Sequence, residues 1–295
     1  MLSTELIDKI KRIEITARRL ANHSFAGEYH SVFRGQGMEF DEIRPYVPGD
    51  DIRRIDWNVT ARTAELHVRQ FQEERELTVM LAVDASGSSE FGTIGQFKRE
   101  LAAELAAVLS FAATINNDRV GLLIFTDQVE FLVPPRKGRR HALRMVRDLL
   151  VFEPKGTGTA INEALDTINL LLKRRGIVFL ISDFLADPES FRRPLAATNQ
   201  RHDLVAVDLH DPIERHIPDI GLIALEDAET GELDWVDTGS KSWREEYETR
   251  MDNLETEKRR MLASQGIDRI EVNTEKDYVP GLTRFFSLRT RRMAR

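Results

Sequence analysis

Four short apolar runs, each ending at or beside an aspartate, constrain this chain more than any other feature. Residues 77–83, 120–125, 177–182 and 204–209 are too continuously apolar for a sheet with one wet face. They alternate with stretches of helical spacing over residues 96–115, 139–150, 160–173 and 188–199. Strand and helix alternating in this way predict an α/β fold, a doubly wound and mostly parallel sheet with helices on both faces. Asp84, Asp127, Asp183 and Asp208 then fall at strand ends, where ligands gather in open sheets of this kind. Asp127 stands apart, because residues 129–133 follow closely enough to return as an antiparallel edge strand, with Asp127 in the turn.

Around this frame the pattern predicts three further parts. Leu2, Leu6, Ile10, Ile13, Ala17 and Leu20 recur at helical spacing, so residues 1–23 hold an amphipathic helix that docks on the rest of the protein. Residues 24–75 read as a small β-rich region, with strands expected near 29–33 and 65–71. Residues 76–295 form the main domain, interrupted at about 213–238 by a β-hairpin whose strands lie near 221–226 and 233–236. A long charged helix from Trp243 to Met261 and a strand near 267–272 follow, and the arginine-rich end, 289–295, reads as a solvated tail.

The chain of 295 residues carries a formal net charge of −7, which argues against a nucleic-acid partner. It contains no cysteine, so disulfides, thiolate catalysis and sulfur-bound zinc are excluded, and a reducing cytoplasm is the expected location. Its start lacks the apolar segment of a signal peptide, and no run approaches the roughly 18 apolar residues of a membrane helix. Any metal must therefore sit on oxygen or nitrogen.

Asp84, Ser86 and Ser88 alternate in a loop between the first buried strand and a helix, so three oxygens can turn toward one point. Carboxylate and hydroxyl oxygens suit a hard cation, Mg²⁺ first, with Mn²⁺ or Ca²⁺ as substitutes. Lys155-Gly156-Thr157-Gly158-Thr159-Ala160 opens a helix and frees two threonine hydroxyls, and Asp183 brings a second carboxylate to a strand end. In this order the three segments resemble the metal-ion-dependent adhesion site (MIDAS) of von Willebrand factor A domains. The resemblance implies that Asp84, Ser86, Ser88, Thr159 and Asp183 hold the ion, Asp183 through water. It prefers Thr159 to Thr157, because Gly158-Thr159 leads to Ala164-Leu165 at the family's spacing. Two carboxylates, one of them held at a distance by water, leave a divalent cation under-neutralised, with a position open to an acidic side chain of a partner protein.

A second resemblance covers more of the chain. The segment from Phe40 to Asn58, dense in acids, arginines and turn residues, is similar to the signature of the bacterial family called Domain of Unknown Function number fifty-eight (DUF58), as is the hairpin segment from Asp211 to Glu232. The resemblance implies an adaptor or chaperone-like protein-interaction module that works with a MoxR-type AAA+ ATPase in maturing a client protein or inserting its metal. Many such relatives carry amino-terminal membrane helices, a pattern from which this sequence departs. Physically, Arg44, Asp50, Asp51, Arg53, Arg54, Asp56 and Arg62 are expected to form an ion-pair lattice, and the β-rich region and the hairpin to pack as one subdomain.

Two other classes remain. A metal-dependent, phosphatase-like hydrolase would use Asp84 but need a second acid two residues on, where Ser86 stands. A serine hydrolase elbow and a P-loop string are both missing from the sequence, so the chain is expected not to be an enzyme. A structural module with an empty metal loop is the third class. His210, Asp211, Glu214 and His216 carry ligand chemistry but read as a polar loop between prolines.

Overall fold

The computed structural model describes residues 4–22, 29, 32–33, 39–72, 76–92, 96–229 and 231–293. Helix α1 (Thr4–Leu20) opens the chain. Two compact units follow from the contacts, Phe33–Leu77 and a larger unit of Met1–Val32 with Thr78–Arg295.

The smaller unit is an antiparallel pair, β1 (Glu39–Pro45) with β2 (His67–Gln72), joined through a short 3-10 turn at Ile52–Arg54 and helix α2 (Trp57–Thr63). Its acids do local work. Asp51 accepts the Arg53 N–H, Asp56 caps α2 by accepting from Asn58 and Val59, and Asp50 takes a bidentate bond from Arg44 at 2.7 Å. The Arg44 bond holds the Asp50 carboxyl at about 2, below its usual range. The strand expected at 29–33 is corrected: Tyr29 and Val32 are helical, while residues 30 and 31 lie outside the described set.

The larger unit is built on six strands, β3 (Thr78–Asp84), β4 (Arg119–Phe125), β5 (Val129–Arg136), β6 (Ile177–Ser182), β7 (Asp203–His210) and β10 (Asp268–Asn273). Their order is β10-β7-β6-β3-β4-β5, parallel except for β5, which turns back against β4 as the sequence around Asp127 predicts. Side chains alternate across the pleat, and both faces are covered. Met80, Ala82, Leu123, Val178, Leu180 and Ala206 bury one face under α5 (Ile161–Leu171), α6 (Pro188–Arg201) and α7 (Lys241–Ser264). Val79, Leu81, Val83, Leu122 and Ile124 are as deeply buried on the alternate positions, and α3 (Lys98–Ile115) packs against β3, β4 and β7. Helix α1 docks on α3 and α4 (Arg139–Leu150), burying Ile13 and Ala17 and pairing Glu14 with Arg139. This is the α/β, doubly wound and mostly parallel arrangement expected from the alternation of runs.

Two expectations fail here. Residues 289–293 are no solvated tail, and 294–295 lie outside the described residues: α8 (Val279–Met293) packs on β10, with Arg289 bonded to Asp203 and Asp268, and Arg292 to Asp268. The hairpin β8 (Leu222–Glu226) and β9 (Leu233–Asp237) is a separate two-stranded sheet in the larger unit, so it forms no single subdomain with β1 and β2. Among the described residues, no helix is long and apolar enough to cross a membrane.

Candidate metal site at the sheet edge

β3 and β6 are neighbours in parallel register, so the chain leaves both at the same edge of the sheet and delivers Asp84 and Asp183 side by side. Both carboxylates are 6% exposed. After Asp84 the chain turns tightly: Ser86 N–H bonds Asp84 Oδ1 at 2.9 Å, and the Ser86 and Ser88 hydroxyls lie 3.1 Å apart. Ser88 also hydrogen-bonds Asp183, which links the two strand ends. Four of the five anticipated residues thus meet at one place.

The threonine loop is brought in by its backbone. Gly87 N–H donates to Thr157 O at 2.8 Å, tying this loop to the serines. Glu130 of β5 holds it from behind, accepting from the Lys155 and Gly156 N–H groups and from the Thr126 hydroxyl. A Cβ at Gly156 would stand 1.9 Å from Asp127 Oδ1 and 2.6 Å from Thr126 Oγ1, so a side chain there would push both aside. The Thr157 and Thr159 hydroxyls both turn to the β8–β9 hairpin, where Thr157 donates to Glu229 O at 2.8 Å and Thr159 to Glu229 Oε1 at 2.6 Å.

Electrostatics separate the two acids. Burial, aided by the charge of Asp183, pushes the Asp84 carboxyl up to about 7, against hydrogen bonds from Ser182 and Ser86. Ser182 Oγ supplies the stronger contact, 2.6 Å to Asp84 Oδ2. For Asp183 burial acts in the same direction, but the Lys98 ammonium, 2.9 Å away, together with hydrogen bonds from Ser88 and the Leu185 N–H, outweighs it and holds that carboxyl below its ordinary value. Lys98 is itself 1% exposed and bridges Asp183 to Glu214. Burial pulls the Lys98 ammonium down, yet its two acids raise it overall.

The donor set fits a hard cation. A desolvated carboxylate whose bonds come from neutral donors, with two hydroxyls converging beside it, is short of positive charge in a way that a divalent ion would relieve. Lys98, Ser182 and Glu130 were missed by the sequence reading. Lys98 opens a helix, where a lysine ordinarily lies in water; the alanine-rich, mostly apolar run that follows at residues 101–113 was the signal available. The polar loop after β7 is structural: Asp211 and Glu214 form a capping box on Pro212–Glu214, and Thr274 donates to Asp211 at 2.7 Å.

The chain is 33% identical over 289 residues to uncharacterized protein Rv1480 of Mycobacterium tuberculosis (strain ATCC 25618 / H37Rv), covering 97% of this chain and 90% of that protein. It is 25% identical over 109 residues to uncharacterized protein YeaD of Bacillus subtilis (strain 168), 37% of this chain and 25% of YeaD. Among solved structures, an aerotolerance-related membrane protein from Bacteroides fragilis NCTC 9343 superposes with a TM-score of 0.50 at 16% identity, over 73% of this chain and 99% of that one. The SpRpn10 VWA domain matches with a TM-score of 0.40 at 12% identity, over 70% and 94%. The family model described as protein of unknown function DUF58 matches residues 42–257, so the chain belongs to the DUF58 family.

Proposed function

We propose that this protein is a metal-dependent protein-interaction module, in which Asp84, Ser86, Ser88, Thr159 and Asp183 hold Mg²⁺ and a partner's carboxylate completes the site. The observation that carries the proposal is Asp84: a buried carboxylate raised to about 7, set between neutral donors beside a second acid. The ion would supply a Lewis-acidic point for an incoming carboxylate. The protein's own residues do the rest. Ser182 and the Ser86 N–H orient Asp84, Lys98 fixes Asp183, and Glu130 positions the threonine loop.

A cytoplasmic adaptor serving a MoxR-type AAA+ ATPase and its client is the role that DUF58 membership supports best. The chain binds and does not turn over substrate in this reading, because Ser86 stands where a phosphatase-like site needs its second acid. The test is capture of the cognate MoxR-type ATPase by the full chain in Mg²⁺ and in EDTA. Binding is lost in EDTA and in Asp84→Ala, whose circular dichroism matches wild type. Capture that ignores both changes rejects the metal-dependent reading, and hydrolysis of phosphate esters that depends on Asp84 replaces it with an enzyme.

A further inference from the structure

The tip of the β8–β9 hairpin rests on the candidate site from both sides. Glu229 receives the Thr159 hydroxyl on its carboxylate and the Thr157 hydroxyl on its carbonyl. On the serine side, Gly87 leaves the chain no spare room, since a Cβ there would stand 1.9 Å from the Ala228 carbonyl oxygen. The tip is shaped to present this residue. Asp227 accepts the Glu229 N–H at 2.9 Å and pairs through its backbone with Glu232 and Gly231, and Gly231 takes a φ of +73° that lets the chain return.

Leu222, Leu233 and Trp235 are 66%, 63% and 72% exposed on one face, while Thr238 and Gly221 close the base. A two-stranded hairpin is marginal alone, so contacts at its tip matter to where it lies. Charge points the same way: Lys98 already offsets part of the Asp183 charge, and a divalent ion beside Asp84 has use for a further carboxylate.

We infer that Glu229 is an internal carboxylate of this site, brought by the hairpin to the position that an outside acid takes, so that a partner must displace the tip to bind. The inference rests on the metal-dependent reading above. Binding of Mn²⁺ alone to the full chain, followed by electron paramagnetic resonance, tests it. Glu229→Gln keeps an oxygen for the Thr159 hydroxyl and removes only the charge; it weakens Mn²⁺ binding about tenfold. Asp234→Asn, which removes a hairpin charge on β9, leaves it unchanged. Equal or tighter binding by Glu229→Gln, with binding lost in Asp84→Ala, overturns the role of Glu229 and spares the metal site. Wild-type affinity in Asp84→Ala overturns the metal reading and this inference with it.

Discussion

Asp84 ends one buried strand and Asp208 lies two residues inside the end of another, two places away in the same sheet, and they are neutralised in opposite ways. Asp208 is fully buried against Lys258, 2.8 Å away, and Arg269, with Glu255 bonded to both cations. Burial raises its carboxyl even so, outweighing the two cations. Asp84 is bonded by a hydroxyl and an N–H, both uncharged. Two acids with equal sequence credentials therefore differ in kind. Asp208 is closed by its own chain and ties α7 and β10 to β7, whereas Asp84 retains a charge deficit that something from outside can fill.

The largest expected effect is on the closed acid. Asp208→Ala removes the fully buried acid that Lys258 and Arg269 share, leaving them Glu255 and, for Arg269, Glu271, and lowers stability by about 3 kcal/mol in urea unfolding. A loss below about 1 kcal/mol erases the contrast. Next comes the open one: Mg²⁺ at a hundredfold excess over its Kd raises stability by about 2.7 kcal/mol. Thermal melting reads this as an upward shift that EDTA reverses and Asp84→Ala lacks.

The contrast also has a pH signature. In EDTA, folded Asp84 titrates at about 7 and unfolded Asp84 at its ordinary value of 3.8. Between those values the folded state holds a proton that the unfolded state has released, so stability falls as pH rises through this window. Asp84→Asn flattens the decline, and a decline that survives in Asp84→Asn assigns it to another group. The smallest effect is that of Ser182→Ala, which removes the acceptor of the Phe184 N–H and the bond to the charged Asp84 oxygen; the Asp84 bond contributes about 1.5 kcal/mol. That cost appears above pH 7 and shrinks where Asp84 is protonated; a pH-independent cost makes Ser182 a packing residue alone.

Legibility followed the range of the interaction. Residues 177–182 and 139–150 were bounded correctly from periodicity, because burial on both faces and a 3.6-residue stripe are written in adjacent residues. The Asp84-to-Ser88 loop was legible for the same reason. Lys98 and Glu229 were not, since their partners Asp183 and Thr159 lie 85 and 70 residues away, and neither a lysine opening a helix nor a glutamate in a turn differs locally from a solvated one. The chain end was misread for a related reason: its arginines look like a tail until Asp203 and Asp268 are placed beside them.

Sequence alone determined the alternation of strand and helix, the oxygen chemistry of one loop and the acids at the strand ends, all of them consequences of short-range pattern. Tertiary structure decided which acid is matched by cations and which is left with neutral donors. That choice depends on Lys98, Lys258 and Arg269 arriving from remote elements, and on how completely the fold removes water around each carboxylate.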